Sequence, residues 1–115
     1  MHKVLLVLDS ENLATILRKE LSSSCEVKTC DAATAVDMID HYRPDALILD
    51  LFLPGTDGFQ ILQEISCSIT STILLTVLVS SAILQQAADL KSDYIFLKPL
   101  KLSALSKQLY ELLSI

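Results

Sequence analysis

The stretch Lys3-Val-Leu-Leu-Val-Leu8 decides the fold of this chain of 115 residues. After its lysine the stretch is continuously apolar, which is typical of a strand buried on both faces of a sheet. Asp9 ends the run, and Ser10 follows as a candidate N-cap for a helix. A strand that is covered on both sides and leads into a helix is the first unit of an α/β protein.

The same unit recurs along the rest of the chain. The predicted strands are Lys3–Leu8, Glu26–Thr29, Ala46–Leu49, Ile73–Val79 and Tyr94–Leu97. Apolar residues at helical spacing follow each strand and predict the buried stripes Leu13, Ile16, Leu17 and Leu21; Ala32, Val36 and Ile39; Phe59, Leu62 and Ile65; Ile83, Ala87 and Leu90; and Leu102, Leu105, Leu109 and Leu112. Asp31 is the predicted cap of the second helix, and Pro44 is its predicted end.

These alternating elements form a (βα)5 pattern. Right-handed crossovers leave few ways to wind five such units, and they favour a doubly wound parallel sheet with the strand order 2-1-3-4-5. The second strand is short and more polar than the others, which suits the edge of the sheet.

Charge and composition exclude several classes of protein. The 14 acidic and 9 basic side chains give a net charge of -5, and the chain has no run of lysine or arginine, so direct binding of nucleic acid is not expected. With 51% hydrophobic residues the chain has ample material for a core, which excludes disorder. We therefore expect a single domain over residues 1–115.

The apolar runs are too short for a membrane span or an export signal. The longest, Ile73–Val79, falls far below the roughly 20 residues that a membrane helix needs, and Val4–Leu8 ends at an aspartate. Cys25, Cys30 and Cys67 form no CxxC pair, so we expect reduced thiols rather than a disulfide framework. A soluble, cytoplasmic protein without a membrane partner is expected, and the aliphatic surplus leaves room for a buried homodimer face.

Polar side chains follow four of the predicted strands at the point where each strand ends. Asp9 follows the first strand, Asp50 the third, Ser80 the fourth and Lys98 the fifth. Ligands of parallel α/β sheets bind beyond the carboxyl ends of the strands. Two carboxylates on adjacent central strands favour a divalent cation with oxygen ligands, most plausibly Mg²⁺, and the lysine adds a positive charge. This set suits phosphoryl transfer to an aspartate.

Both glycines of the chain lie in the segment Asp50-Leu-Phe-Leu-Pro-Gly-Thr-Asp-Gly58. A Pro-Gly turn and a second glycine let the backbone wrap closely around whatever Asp50 binds. An ordinary turn from strand to helix, capped by Thr56 or Asp57, would explain the glycines but not the aspartate. Because a carboxylate at the end of a buried strand is costly without a partner, Asp50 is the candidate nucleophile.

This segment resembles the phosphoacceptor loop of two-component response-regulator receiver domains. Lys98-Pro99, after an aliphatic strand, is similar to that family's Lys-Pro pair, and the resemblance runs from Lys3 to the last helix. It implies a flavodoxin-like fold in which Asp50 accepts a phosphoryl group from a sensor histidine kinase or a phosphotransfer protein. It also implies a conformational switch read by a downstream effector or output domain, and no enzymatic activity in the usual sense.

The resemblance implies roles for the neighbouring groups as well. Asp9 and Asp50 would hold Mg²⁺ together with the backbone carbonyl of Phe52. Lys98 would pair with the phosphoryl group, and the Lys98–Pro99 bond is expected to be cis.

A hydroxyl group would respond to the phosphoryl group when the domain switches conformation. Ser80 is the preferred candidate, and Ser81 competes with it. Thr76 is interpreted as a residue of the strand core.

The chain departs from the family's pattern at several positions. Receivers carry two adjacent acids after the first strand, whereas Leu8 stands here in place of the first, and the loss of such an outer ligand costs about 10–100-fold in metal affinity. Glu11 is a candidate substitute. Ile95 replaces the family's switch aromatic, and Tyr94, one place earlier, is expected to point to the opposite face of the sheet. The span from Ser80 to Lys98 is also shorter than is usual in receivers.

These departures leave other functions open. The chain could be a degenerate receiver that acts as a phosphorylation-independent module for protein interaction or dimerisation. A phosphatase of the haloacid-dehalogenase type ranks lower, because such enzymes need a second acid where this chain has Phe52. An FMN carrier ranks lower still, because Ser10–Ala14 lacks a phosphate cradle rich in glycine and hydroxyl groups.

Overall fold

Five parallel strands form the central sheet of the computed structural model, which describes residues 1–66, 69 and 71–115. The strands are β1 (His2–Val7), β2 (Cys25–Cys30), β3 (Ala46–Asp50), β4 (Phe52–Leu53), β5 (Thr56–Asp57), β6 (Ser71–Thr76) and β7 (Tyr94–Leu97). The helices are α1 (Glu11–Leu21), α2 (Ala35–Tyr42), α3 (Gly58–Glu64), α4 (Ser81–Asp89) and α5 (Leu102–Leu113). The order β2-β1-β3-β6-β7 confirms the predicted doubly wound, flavodoxin-like sheet, and β2 lies at its edge.

The core consists of two apolar layers, one on each face of the sheet. Leu5, Leu47 and Leu74 point towards α2, α3 and α4, whereas Leu6, Ile48 and Ile73 point towards α1 and α5. All six side chains are fully buried because the central strands have helices on both sides. Alternation along each strand explains why the runs are apolar at every position.

The second helix begins later than the sequence predicts. The carboxylate of Asp31 accepts hydrogen bonds from the backbone N–H and the hydroxyl of Thr34, at 3.0 and 2.8 Å, which holds residues 32–34 in a turn. The helix therefore starts at Ala35 rather than directly after Asp31. It ends at Tyr42, because Arg43 takes a left-handed conformation with φ 51° just before Pro44.

The fourth strand of the sheet, β6, ends three residues before its predicted end at Val79. The hydroxyl of Thr76 donates to the carbonyl of Leu78 at 2.7 Å and accepts from the N–H of Leu78 at 3.1 Å, so the chain turns there. Val77, Leu78 and Val79 consequently lie outside the sheet, with exposed fractions of 66%, 56% and 39%. Their apolar character predicts a continuing strand, but the turn at Thr76 ends β6 before them.

Cys25 and Cys30 are free thiols, and Cys67 lies outside the described residues. No helix in the described part of the chain is long and apolar enough to cross a membrane.

Candidate functional site

The structure brings Asp9, Asp50 and Lys98 together at the carboxyl ends of the strands. The ammonium nitrogen of Lys98 lies 2.6 Å from Oδ1 of Asp50 and 3.3 Å from Oδ1 of Asp9. The backbone N–H of Asp9 donates to the other carboxylate oxygen of Asp50 at 2.8 Å. Residues 89 positions apart in the chain thus share one contact, and both oxygens of Asp50 have a polar partner.

Strand register accounts for this meeting. Val7 lies opposite Leu49 in the pairing of β1 with β3, so Asp9 leaves β1 beside the end of β3, where Asp50 stands. On the other side, Thr76 lies opposite Leu97. The N–H of Lys98 donates to the carbonyl of Thr76 at 2.7 Å, which fixes the backbone from which the lysine reaches across. The Lys98–Pro99 bond is cis, as the family resemblance implies.

The electrostatics of the site follow from burial and from these contacts. Asp50 is only 1% exposed, and this burial, reinforced by Asp9, raises the pKa of its carboxyl even though Lys98 acts in the opposite direction. The hydrogen bond with Asp50 and the charge of Lys98 together hold the pKa of Asp9 below its ordinary value. Burial is the largest single influence on Lys98 and by itself lowers its pKa, but the hydrogen bonds and charges of Asp50 and Asp9 together outweigh it, so the pKa is raised and the ammonium keeps its proton.

The segment after Asp50 folds back as the hairpin β4–β5 before α3 begins. Gly55, at its turn, has φ +75°, a conformation that glycine adopts without strain. A Cβ on Gly58 would lie 2.8 Å from the backbone oxygen of Asp50, so a side chain there would displace the acidic residue itself. Asp57 caps α3 by accepting from the N–H of Gln60 at 2.9 Å. Gly55 is therefore favoured by the positive φ of the turn, and Gly58 is required by the close return of the backbone to Asp50.

The position of the missing acid is apolar in structure as well as in sequence. Leu8 is half-buried and packs against the core layer next to α1 and α5. Glu11, the proposed substitute, lines a cavity of about 220 Å³ together with Leu8, and neither Asp9 nor Asp50 lines that cavity. Among the described residues, no group of three or more histidine, cysteine, aspartate or glutamate side chains could hold a metal ion. The acidic pair has no third carboxylate beside it in that part of the chain.

Ser80 lies away from the end of the sheet strand, and this corrects its expected position. Because β6 ends at Thr76, Ser80 is the N-cap of α4, where its hydroxyl accepts from the N–H of Ile83 at 3.2 Å. Thr76 is the residue at the strand end, next to Leu75, which pairs with Asp50. It is 1% exposed and is bonded through its carbonyl to Lys98.

Sequence reasoning undervalued Thr76 because the apolar run continued beyond it. The lengths of the neighbouring strands give a signal for it, since β6 extends only one residue beyond the residue that pairs with Asp50 at the end of β3.

Tyr94, on the last strand of the sheet, points to the side that the sequence predicts, opposite to that of Ile95. Tyr94 stacks on Phe96, with ring centroids 5.7 Å apart, on one side of β7. Ile95 packs instead against the core layer next to α2, α3 and α4. Tyr94 is thus directed away from the side that Ile95 occupies.

The fold, the loop after Asp50 and the charged cluster together are typical of a response-regulator receiver domain. The model of the response regulator receiver domain matches residues 4–110, and the chain belongs to this family. The chemotaxis protein CheY4 of Vibrio cholerae is similar in structure, with a TM-score of 0.84 and 25% identity over 97% of this chain and 98% of that one. A two-component response regulator from Clostridium difficile superposes with a TM-score of 0.89 at 19% identity, covering 99% and 97% of the two chains, which supports the fold.

Two curated relatives match over part of their length. The chain is 31% identical over 91 residues to protein-glutamate methylesterase/protein-glutamine glutaminase 2 of Shewanella oneidensis, a match that covers 76% of this chain and 25% of that protein. It is 39% identical over 54 residues to Fimbriae Z protein of Salmonella typhimurium, covering 47% of this chain and 26% of that protein. The chain spans about a quarter of each relative, so what lies in the rest of those proteins is not carried over.

Burial raises the pKa of Asp50, and Lys98 opposes part of that rise. The ammonium lowers the pKa of Asp50 through its hydrogen bond and its charge, so Lys98→Ala should raise that pKa further above the ordinary value. At any pH within its titration, a larger fraction of Asp50 should then be protonated. The measurement is a ¹³C carboxyl titration by NMR. Lys101→Ala, which removes an exposed lysine nearby in the chain, is the control and should leave the curve unchanged. An unshifted Asp50 curve in Lys98→Ala would contradict this coupling.

Proposed function

We propose that this receiver domain accepts a phosphoryl group on Asp50 from the phosphohistidine of a sensor histidine kinase or a phosphotransfer protein. The observation that carries the proposal is the ammonium of Lys98, 2.6 Å from a carboxylate that stands at the end of a buried strand beside a second aspartate. An oxygen of Asp50 attacks phosphorus, the P–N bond of the donor breaks, and its electron pair leaves with the imidazole nitrogen. The product is an acyl phosphate on Asp50.

Lys98 has two tasks in this reaction. Before transfer it compensates the charge of Asp50, which water barely reaches. As the new bond forms, the ammonium moves to a phosphoryl oxygen, where it stabilises the charge of the transferred group. Its side chain is 20% exposed, so it lies between the acceptor and solvent and can move without opening the core.

The residues present fit a magnesium ion. The two carboxylates of Asp9 and Asp50 already contact one shared cation, the ammonium of Lys98, and the backbone carbonyl of Phe52 follows in the acceptor hairpin. Mg²⁺ in proteins takes one or two carboxylates and keeps several waters, so this donor set suffices. The ion would supply charge neutralisation at the phosphoryl oxygens.

Thr76 is better placed than Ser80 to respond to phosphorylation. Its hydroxyl now bonds to the backbone of Leu78, and its carbonyl is bonded to Lys98. A phosphoryl group on Asp50 offers the hydroxyl a charged acceptor, which forms the stronger hydrogen bond. Transfer of that bond would release Leu78 and reshape the connection between β6 and α4 for a downstream effector or output domain in the cytoplasm.

Phosphorylation of Asp50 is directly testable. Incubation with Mg²⁺ and acetyl phosphate should give a species heavier by one phosphoryl group in intact-mass spectrometry. Asp50→Asn should abolish that species because the amide is no nucleophile, whereas Asp89→Asn, at an exposed aspartate on α4, should leave it unchanged. A wild-type protein that gains no mass, or an Asp50→Asn variant that gains as much as the wild type, would overturn the proposal.

Leu8 should weaken metal binding. Restoring the second acid with Leu8→Asp should raise the affinity for Mg²⁺ by about 10–100-fold, because outer ligands of metal sites contribute on that order. Isothermal titration gives the affinity, and circular dichroism shows that the variant is folded. Leu84→Asp, which adds the same charge at a half-exposed position on α4, is the control. Equal affinities in wild type and Leu8→Asp would mean that the lost acid has no part in the site.

A second candidate function is a phosphorylation-independent interaction or dimerisation module. Its support is an apolar surface, here called the β7-edge surface, around the strand that ends the sheet opposite β2. The exposed residues of this surface are Val77, Leu78, Val79, Leu84, Tyr94 and Leu97. Exposed apolar groups that gather at one edge mark an interaction site more often than scattered ones do.

Sedimentation analysis separates this second function from the first. A homodimer should form equally with and without acetyl phosphate, and Leu78→Ser should weaken it at least several-fold. Ile16 is exposed on α1, which corrects its predicted place in the buried stripe of that helix, and it lies outside the β7-edge surface. Ile16→Ser should therefore leave the dimer intact. A monomer at all concentrations, or a dimer weakened equally by both variants, would contradict dimerisation through this surface.

A further inference from the structure

A groove lies between the start of α2 and the acceptor hairpin, outside the phosphoacceptor site. Its volume is about 380 Å³, within the range of pockets that take small ligands or a few side chains of a peptide, roughly 300–1,000 Å³. The half-buried Val36 and the exposed Pro54 give it apolar surface, whereas Ile61 is only 2% exposed, and the small residues Ala32 and Ala33 leave the groove open. The turn of the hairpin, residues 54–56, completes the lining.

The charged groups of the groove are both carboxylates. Asp37 stands in the first turn of α2 and Glu64 at the last residue of α3, and of the described residues that line the groove only these two are charged. Neither carboxylate has an ion-pair partner in the part of the chain that the structure describes. The groove therefore presents negative charge above an apolar floor.

Glu64 also lies at the carboxyl end of α3, where the helix disfavours a negative charge. The carboxyl end of a helix carries a partial negative charge, and the last turn of α3 has no basic residue to offset it. Its contact on α3 is a neutral one, the side-chain amide of Gln60 at 2.9 Å. A cation from outside the chain would relieve this repulsion.

We propose that this groove binds a basic segment of a partner protein, with an arginine or lysine between Asp37 and Glu64 and an apolar neighbour on Val36 and Pro54. Charge complementarity selects the cation, and the apolar floor selects a peptide segment over a free organic cation. The proposal goes beyond the phosphoacceptor function, since binding requires no phosphoryl group.

The position of the groove links it to the phosphoacceptor site. The residues of its hairpin wall belong to the same loop that carries Phe52 and follows Asp50. A segment bound against residues 54–56 would contact the loop that directly follows the phosphorylated Asp50. By linkage, any effect of phosphorylation on the affinity of the segment would have an equal reciprocal effect.

The test uses the whole unphosphorylated chain, so its failure is separate from failure of phosphorylation. A capped pentapeptide, glycine-leucine-arginine-leucine-glycine, is titrated into ¹⁵N-labelled protein at low salt, with its glutamine counterpart and arginine ethyl ester as comparison ligands. The arginine peptide should shift amide signals within residues 32–37, 55–56 and 61–64, and it should bind about 5-fold or more tightly than either comparison ligand. Shifts spread over the surface, or equal binding of all three ligands, would overturn the proposal.

Variants distinguish binding at the groove from attraction to the overall negative charge of the protein. Asp37→Asn with Glu64→Gln should weaken the arginine peptide about 5-fold or more, whereas Asp89→Asn with Glu111→Gln removes the same charge elsewhere and should not. Ala33→Leu fills the groove without changing its charge and should also block binding. Equal loss in both double variants, or full binding in Ala33→Leu, would refute the site. Circular dichroism confirms that each variant is folded.

Discussion

One ammonium group joins the ends of three strands in this protein. Lys98 leaves β7, crosses the end of β6 and contacts both Asp50, the last residue of β3, and Asp9, after β1. A carboxylate as buried as Asp50 is strongly unfavourable alone, so the order of the strands and the position of the lysine must be correct together. The parallel sheet is what makes this possible, because it brings the carboxyl ends of distant segments to one edge.

The sequence predicts the parts of the fold that depend on burial. Continuous apolar runs identified β1 and β3, and the polar residue that ended each run was the one that lies in the cluster. The same reasoning failed at β6, where Val77–Val79 are as apolar as a strand and yet exposed. Hydrophobicity reports burial in the working state of a protein, and an apolar interaction surface gives the same pattern as a core.

Local hydrogen bonding accounts for the other differences. The side chain of Asp31 holds a turn before α2, and the hydroxyl of Thr76 closes a turn after β6. In both cases a short polar side chain offers the backbone an alternative to regular structure. Packing around the segment decides whether its backbone continues the helix or strand or bonds to the side chain instead. Residue types therefore predict the order of the helices and strands but not the residues at which they end. The groove beside the acceptor hairpin was likewise invisible, because it depends on how α2 and α3 approach that hairpin.

Leu8 changes the balance between the lysine and a metal ion at the acceptor. With Asp9 and Asp50 ionised, the cluster with Lys98 holds one net negative charge, and a second acid at position 8 would double it. A less negative cluster attracts a divalent cation less strongly, while the ammonium, fixed to the chain by its neighbours on β6 and β7, loses nothing. The leucine therefore shifts the site towards charge compensation by lysine. If the domain is phosphorylated as proposed, the reaction would need a higher concentration of Mg²⁺ than it would with a complete acidic pair.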